Sequence, residues 1–188
     1  GGTFSPIHLG HVAAANRFYD ALALDRLLVI PTFTPPHKEE DGESTPEQRL
    51  EMTRLAFAGN PREIEVSDFE ILSGGKSYTY LTLRHFYSPQ VRLTLLCGTD
   101  MFLTLDSWKH PDEIFSLCRV ALIRRERENS ATEERIAQAK RLYEEKYRAS
   151  LLDVLNEPVE ISSTGVREKL RRGEEVAELL PPPVLSYI

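Results

Sequence analysis

A chain of 188 residues, 41% hydrophobic and 28% charged, is long enough for one globular domain with a substantial core. Its apolar runs fall short of the roughly 18 to 20 residues that cross a bilayer, which argues against a helical membrane span, and a net charge of −6 argues against a nucleic-acid partner. No cationic and apolar leader opens the chain, so a cytoplasmic location is expected.

The first segment, Gly1-Gly2-Thr3-Phe4-Ser5-Pro6-Ile7-His8-Leu9-Gly10-His11, runs into a helix expected over Leu9 to Leu24. A glycine-rich loop in α/β architectures follows a buried strand, so such a strand is expected before Gly1, the alternative being a sheet edge built differently. A short strand is expected at Leu27 to Ile30, followed by a loop from Thr34 to Glu43 that reads as mobile. Thr45, Pro46 and Gln48 spell a capping box with proline at the first helical position, and predict a helix over Pro46 to Ala58 that Gly59-Asn60-Pro61 stops. Strands are then expected at Ile64 to Val66, Val91 to Cys97 and Val120 to Ile123; Cys97 and Cys118 lie in or beside these apolar runs and read as buried free thiols. Ile136, Ala139, Tyr143, Tyr147 and Leu151, three or four residues apart, predict a long helix from about Thr132 to Leu155. A last strand is expected at Val159 to Ile161. Strands alternating with helices predict a Rossmann-like, doubly wound α/β fold, a mostly parallel sheet with helices on both faces, in a single domain spanning residues 1–188.

Two strings carry the chemistry. In the opening string, glycines let backbone amides approach a phosphate, and the helix that follows adds a field favourable to anions. Three residues apart, His8 and His11 share one face of a first helical turn and can donate to one polyphosphate. Taken alone, two solvent-facing histidines or a zinc pair lacking its third ligand would also account for them. In the second string, Ile161-Ser162-Ser163-Thr164-Gly165-Val166-Arg167, hydroxyls and free amides at a helix start form an anion seat, and the Arg167 fork lies one turn in. An ordinary cap with a solvated arginine is the alternative. Asp100 follows an apolar strand through Gly98, where it either accepts from ribose hydroxyls or caps the next helix. Trp108, the single tryptophan, either stacks on a flat heterocycle or packs in the core.

Together the two strings resemble the nucleotidyltransferase superfamily, which is marked by His-x-Gly-His early and Ser-Ser-Thr-x-x-Arg late. Within it the chain is similar to the nicotinate-nucleotide adenylyltransferases. Pro35-Pro36-His37-Lys38, Arg49 and Met52, Ser77-Tyr78-Thr79, Gly98-Thr99-Asp100, Trp108 and the terminal Pro183 to Ile188 segment occur in that family's order. Ser5 departs from it, since the family often carries an acidic residue there. The resemblance implies transfer of AMP from ATP, with Mg²⁺ on the triphosphate, to nicotinate mononucleotide, giving deamido-NAD and pyrophosphate in NAD biosynthesis. It implies ATP contacts at Gly2, Thr3, Phe4, His8, His11, Gly98, Asp100, Ser162, Ser163, Thr164 and Arg167, among which His8, His11 and Arg167 stabilise charge in the reaction. It implies mononucleotide contacts at Thr3, Lys38, Arg49, Thr79, Trp108 and Lys109, and no metal held by the protein itself. Two other readings stay open: a different nucleotidyltransferase, such as a pantetheine-phosphate adenylyltransferase, and a nucleotide-binding module without turnover.

Overall fold

The computed structural model describes residues 1–35, 44–125, 129–156 and 161–188. The chain divides into two compact units, residues 1–77 with 159–188 and residues 78–158. All strand pairs among the described residues are parallel, and helices connect them. No helix among these residues is long and apolar enough to cross a membrane.

In the first unit, helix α1 (Leu9–Ala21) leads to strand β1 (Leu27–Val29). It stops short of the expected Leu24 because Ala23 takes a left-handed φ of 47°. Helix α2 (Pro46–Phe57) starts as its sequence predicts: the Thr45 N–H donates to Gln48 Oε1 at 2.8 Å, and Gln48 N–H donates to Thr45 Oγ1 at 3.2 Å. Strand β2 (Ile64–Val66) pairs with β1 in the register Leu27 to Ile64, and the short helix α3 (Phe69–Ser73) follows. Beside the end of β1, Gly2 forms a parallel bridge with Pro31.

The second unit opens with α4 (Thr79–Phe86) and strand β3 (Thr94–Gly98). This strand begins later than Val91, since Val91 and Arg92 are exposed. Helix α5 (Thr99–Phe102), a 3₁₀ turn at Leu105–Ser107 and helix α6 (Pro111–Leu117) lead to strand β4 (Arg119–Arg125). Helix α7 (Ser130–Tyr147) then crosses to strand β5 (Leu151–Asn156), and the sheet order is β3-β4-β5. The long helix expected to reach Leu155 therefore ends a full strand earlier. Arg148 turns left-handed at φ 54°, and Leu151 pairs with Val120 instead of continuing the helical stripe. Buried Ile114, Val120, Leu122, Ile136 and Tyr143 centre this unit's core, and Cys97 and Cys118 are free and buried within it.

The remainder of the first unit is helix α8 (Ser163–Arg171) and helix α9 (Pro182–Tyr187), the latter packed against α2. The strand expected at Val159 to Ile161 lies mostly outside the described residues, as does most of the loop expected from Thr34 to Glu43. Ile7, Ala15, Val29, Met52, Phe57, Val166, Val176, Leu180 and Val184 form the core here. Ile7 and Val166 immediately precede His8 and Arg167, and both are essentially fully buried in this one cluster. Each contributes roughly 1.5–3 kcal/mol by leaving water, and their shared burial fixes the backbone on which both chemical strings are mounted.

Candidate active site

The opening loop is zipped to the end of β1. The Gly2 N–H donates to the Ile30 carbonyl at 3.1 Å, and the Thr32 N–H donates to the Gly2 carbonyl at 2.9 Å. Phe4 adopts φ 52° and folds its ring over Gly2, so a Cβ at Gly2 would stand 2.9 Å from Phe4 Cζ. A side chain at position 2 would therefore have to displace the Phe4 ring from over the loop. Ser5 is buried; its Oγ lies 2.9 Å from Ser44 Oγ, a polar partner within the protein for the residue that departs from the family pattern.

His8 is the N-cap of α1 in an extended conformation, and His11 sits one turn in. Their rings stack with centroids 3.7 Å apart and planes at 25°, and Phe4 meets His11 edge-on at 5.1 Å. The His8 backbone N–H donates to His11 Nδ1 at 3.3 Å. That nitrogen is therefore an acceptor, which leaves Nε2 to carry the proton and act as donor. His8 is 4% exposed, and burial lowers its pKa to about 4. It is a neutral imidazole at physiological pH. The solvent-facing alternative for the pair does not hold for His8.

The late string comes to the same loop. Ser162 caps α8, its Oγ accepting the Gly165 N–H at 3.1 Å, as expected of a serine at a helix start. Ser163 Oγ donates to the Pro6 carbonyl at 3.0 Å, and Arg167 Nη1 donates to the Ser5 carbonyl at 2.7 Å. Arg167 Nη2 also reaches Thr164 Oγ1 at 3.4 Å. Strings separated by more than 150 residues in sequence thus form one construction: glycine loop, paired imidazoles, a capped helix start and a guanidinium.

Arg49 was expected at the mononucleotide phosphate, and the structure gives it other partners. It is 4% exposed; Nη1 donates to the carbonyls of Thr3 at 2.8 Å and Thr32 at 2.7 Å, and Nη2 donates to that of Phe33 at 2.8 Å. Arg49, Thr53 and Phe57 recur at four-residue spacing along the buried face of α2, a pattern that points to burial of Arg49 but not to its partners. Lys38 lies outside the described residues.

The remaining expected residues belong to the second unit. Gly98 caps α5 through its backbone and Asp100, exposed in the first turn, makes no cap, so the capping alternative for Asp100 falls away. Both line a cleft of about 340 Å³ at the carboxyl end of β3. Thr132 and Arg135 of α7 line it too; nothing local in the sequence links them to position 100, because α7 is brought there only by packing. Thr79 is the first residue of α4. Trp108 packs part-buried against the core, and its indole N–H donates to Thr104 Oγ1 at 3.4 Å. Lys109 is exposed with Nζ 4.4 Å from the Tyr78 ring centroid, and His110 turns left-handed at φ 54° against Tyr80.

A family model described as cytidylyltransferase-like matches residues 1–169. A probable nicotinate-nucleotide adenylyltransferase of Clostridium acetobutylicum is 35% identical over 190 residues, covering 100% of this chain and 93% of the relative. A protein of the same description from Clostridium botulinum is 36% identical with the same coverage. The chain belongs to the nicotinate-nucleotide adenylyltransferase family. The fold agrees with this family: a Plasmodium falciparum nicotinic acid mononucleotide adenylyltransferase complexed with NaAD superposes with a TM-score of 0.73, at 15% identity, over 100% of this chain and 91% of that one. The expected parallel α/β fold is therefore present.

Proposed function

We propose that this protein is a cytoplasmic enzyme that transfers the AMP part of ATP to nicotinate mononucleotide, releasing pyrophosphate and giving nicotinate adenine dinucleotide, with both units serving one nucleotidyltransferase domain. The observation that carries this reading is the joining of the late Ser163–Arg167 string to the Ser5-Pro6 carbonyls beside the stacked His8–His11 pair. It collects amides, the neutral His8 imidazole, the His11 imidazole and a guanidinium where the family places a triphosphate.

The mononucleotide phosphate is already anionic at neutral pH and attacks the α-phosphorus in line, the bond to the β,γ-diphosphate breaking as the new bond forms. No protein nucleophile is needed, and the protein aligns two anions and offsets the charge that develops on the pyrophosphate. His11 donates through Nε2, Arg167 supplies a fixed fork, and the amides at the start of α8 add their field. Mg²⁺ enters on the triphosphate as part of the substrate. In the second unit, Gly98 and Asp100 take the ribose, and Thr79, Trp108 and Lys109 take the nicotinate ring and its carboxylate. Lys38 neutralises the mononucleotide phosphate.

The test is pyrophosphate release with Mg²⁺–ATP and, in parallel, nicotinate mononucleotide, nicotinamide mononucleotide and phosphopantetheine. Strong preference for the first is expected. Preference for another acceptor would overturn the substrate while leaving the superfamily, and no turnover with any would favour a binding module.

A further inference from the structure

We propose that Arg49 is a positioning residue for the phosphate loop, acting through the Thr3 carbonyl and not by touching the mononucleotide. The inference rests on the function proposed above and adds to it a residue whose effect is indirect.

The geometry follows from the peptide plane. Backbone hydrogen bonds hold the loop to the end of β1 at Gly2 N–H and at the Gly2 carbonyl; the Thr32 carbonyl, to which the Phe4 N–H would donate in the next rung of a parallel ladder, is taken instead by Arg49 Nη1, which also holds the Thr3 carbonyl. Its Nη2 holds the Phe33 carbonyl. Arg49 thus continues with a side chain a ladder that the backbone leaves off. A trans peptide is planar, with its C=O and N–H pointing opposite ways. Turning the Thr3 carbonyl toward the Arg49 guanidinium therefore turns the Phe4 N–H away from it, into the loop that Phe4 itself bends with a left-handed φ of 52°. Thr53 supports the pin from below: its hydroxyl donates to the Arg49 carbonyl at 2.7 Å with the side chain fully buried. A lysine keeps the charge but, with a single nitrogen, cannot span three carbonyls in two segments.

The experiment is steady-state kinetics of wild type, Arg49→Lys and Arg49→Met with Mg²⁺–ATP and nicotinate mononucleotide, alongside thermal melting and equilibrium binding of Mg²⁺–ATP. Misplacing the loop should lower kcat of Arg49→Met by about 10²-fold, since displacements on the order of 1 Å have that effect. The KM for ATP rises, any rise in the mononucleotide KM through Thr3 is no larger, and Arg49→Lys recovers part of the kcat. A rise in the mononucleotide KM alone would show direct contact with that substrate and overturn the proposal. A lowered melting temperature with kcat and both KM values intact would reduce Arg49 to a structural pin and overturn it equally. Should Arg49→Met fail to fold, Arg49→Lys carries the same comparison. If wild type itself does not turn over nicotinate mononucleotide, the proposed function fails, and the Arg49 inference is still decided by whether the variants weaken Mg²⁺–ATP binding.

Discussion

Replacing His8 by glutamine should change how stability depends on pH, by an amount the structure sets. His8 is buried as a neutral ring, with its pKa lowered from 6.5 to about 4 by desolvation. Below pH 6.5 the unfolded chain takes a proton at this residue while the folded protein does not until about pH 4. The unfolded state binds more protons throughout that window, so stability rises with pH there. The contribution is fully present above 6.5 and is lost as pH falls toward 4. At about 1.4 kcal/mol per pH unit, the gap amounts to about 3 kcal/mol. The assay is urea unfolding followed by far-UV circular dichroism, with wild type and His8→Gln measured at the same pH values. Other groups titrate equally in both proteins and cancel in the difference. The advantage of wild type over the variant should shrink by about 3 kcal/mol between neutral pH and pH 4. A difference that is constant with pH would show that His8 is not held neutral by burial and would remove the basis for treating it as an uncharged donor in the site.

The other outcomes concern single side chains. His11→Ala should lower kcat by the equivalent of about 2.7–4 kcal/mol, as for loss of one preorganised donor, with far-UV circular dichroism unchanged because α1 is anchored by Ala15 and Phe18; near-normal turnover would remove its phosphate role. Trp108→Ala should raise the KM for nicotinate mononucleotide far more than that for ATP, and equal effects in steady-state kinetics would make its contact with the core its whole function. Tyr143→Phe removes the hydroxyl that donates to the buried Phe102 carbonyl at 2.6 Å. Urea unfolding should show a loss of about 1–3 kcal/mol for the unsatisfied carbonyl, with kcat unchanged.

Much of this protein is legible in its residue order because the relevant physics is local. Thr45, Pro46 and Gln48 set the start of α2 by hydrogen bonds spanning three residues. Ser162 caps α8 in the same way, and the three-residue spacing of His8 and His11 is enough to stack them once a helix begins there. Chemical character at such spacings survives any arrangement of the rest of the chain.

What depended on distant partners was decided only by the folded structure. The apolar stripe of α7 continues smoothly into Leu151 in sequence, yet pairing of Leu151 with Val120 draws it into a strand and forces Arg148 left-handed, because the backbone groups of a buried sheet must be paired. That Arg49 is buried and holds the carbonyls of Thr3, Thr32 and Phe33 depends on segments 16 and more residues away. Arg135 reaches the Asp100 cleft only through the packing of its helix. The sequence by itself determined the two phosphate strings, their local caps and the alternation that makes a parallel α/β fold. The tertiary structure alone decided which carbonyls each buried cation holds and where the last helix yields to a strand, since burial and long-range hydrogen bonds outweigh local preference.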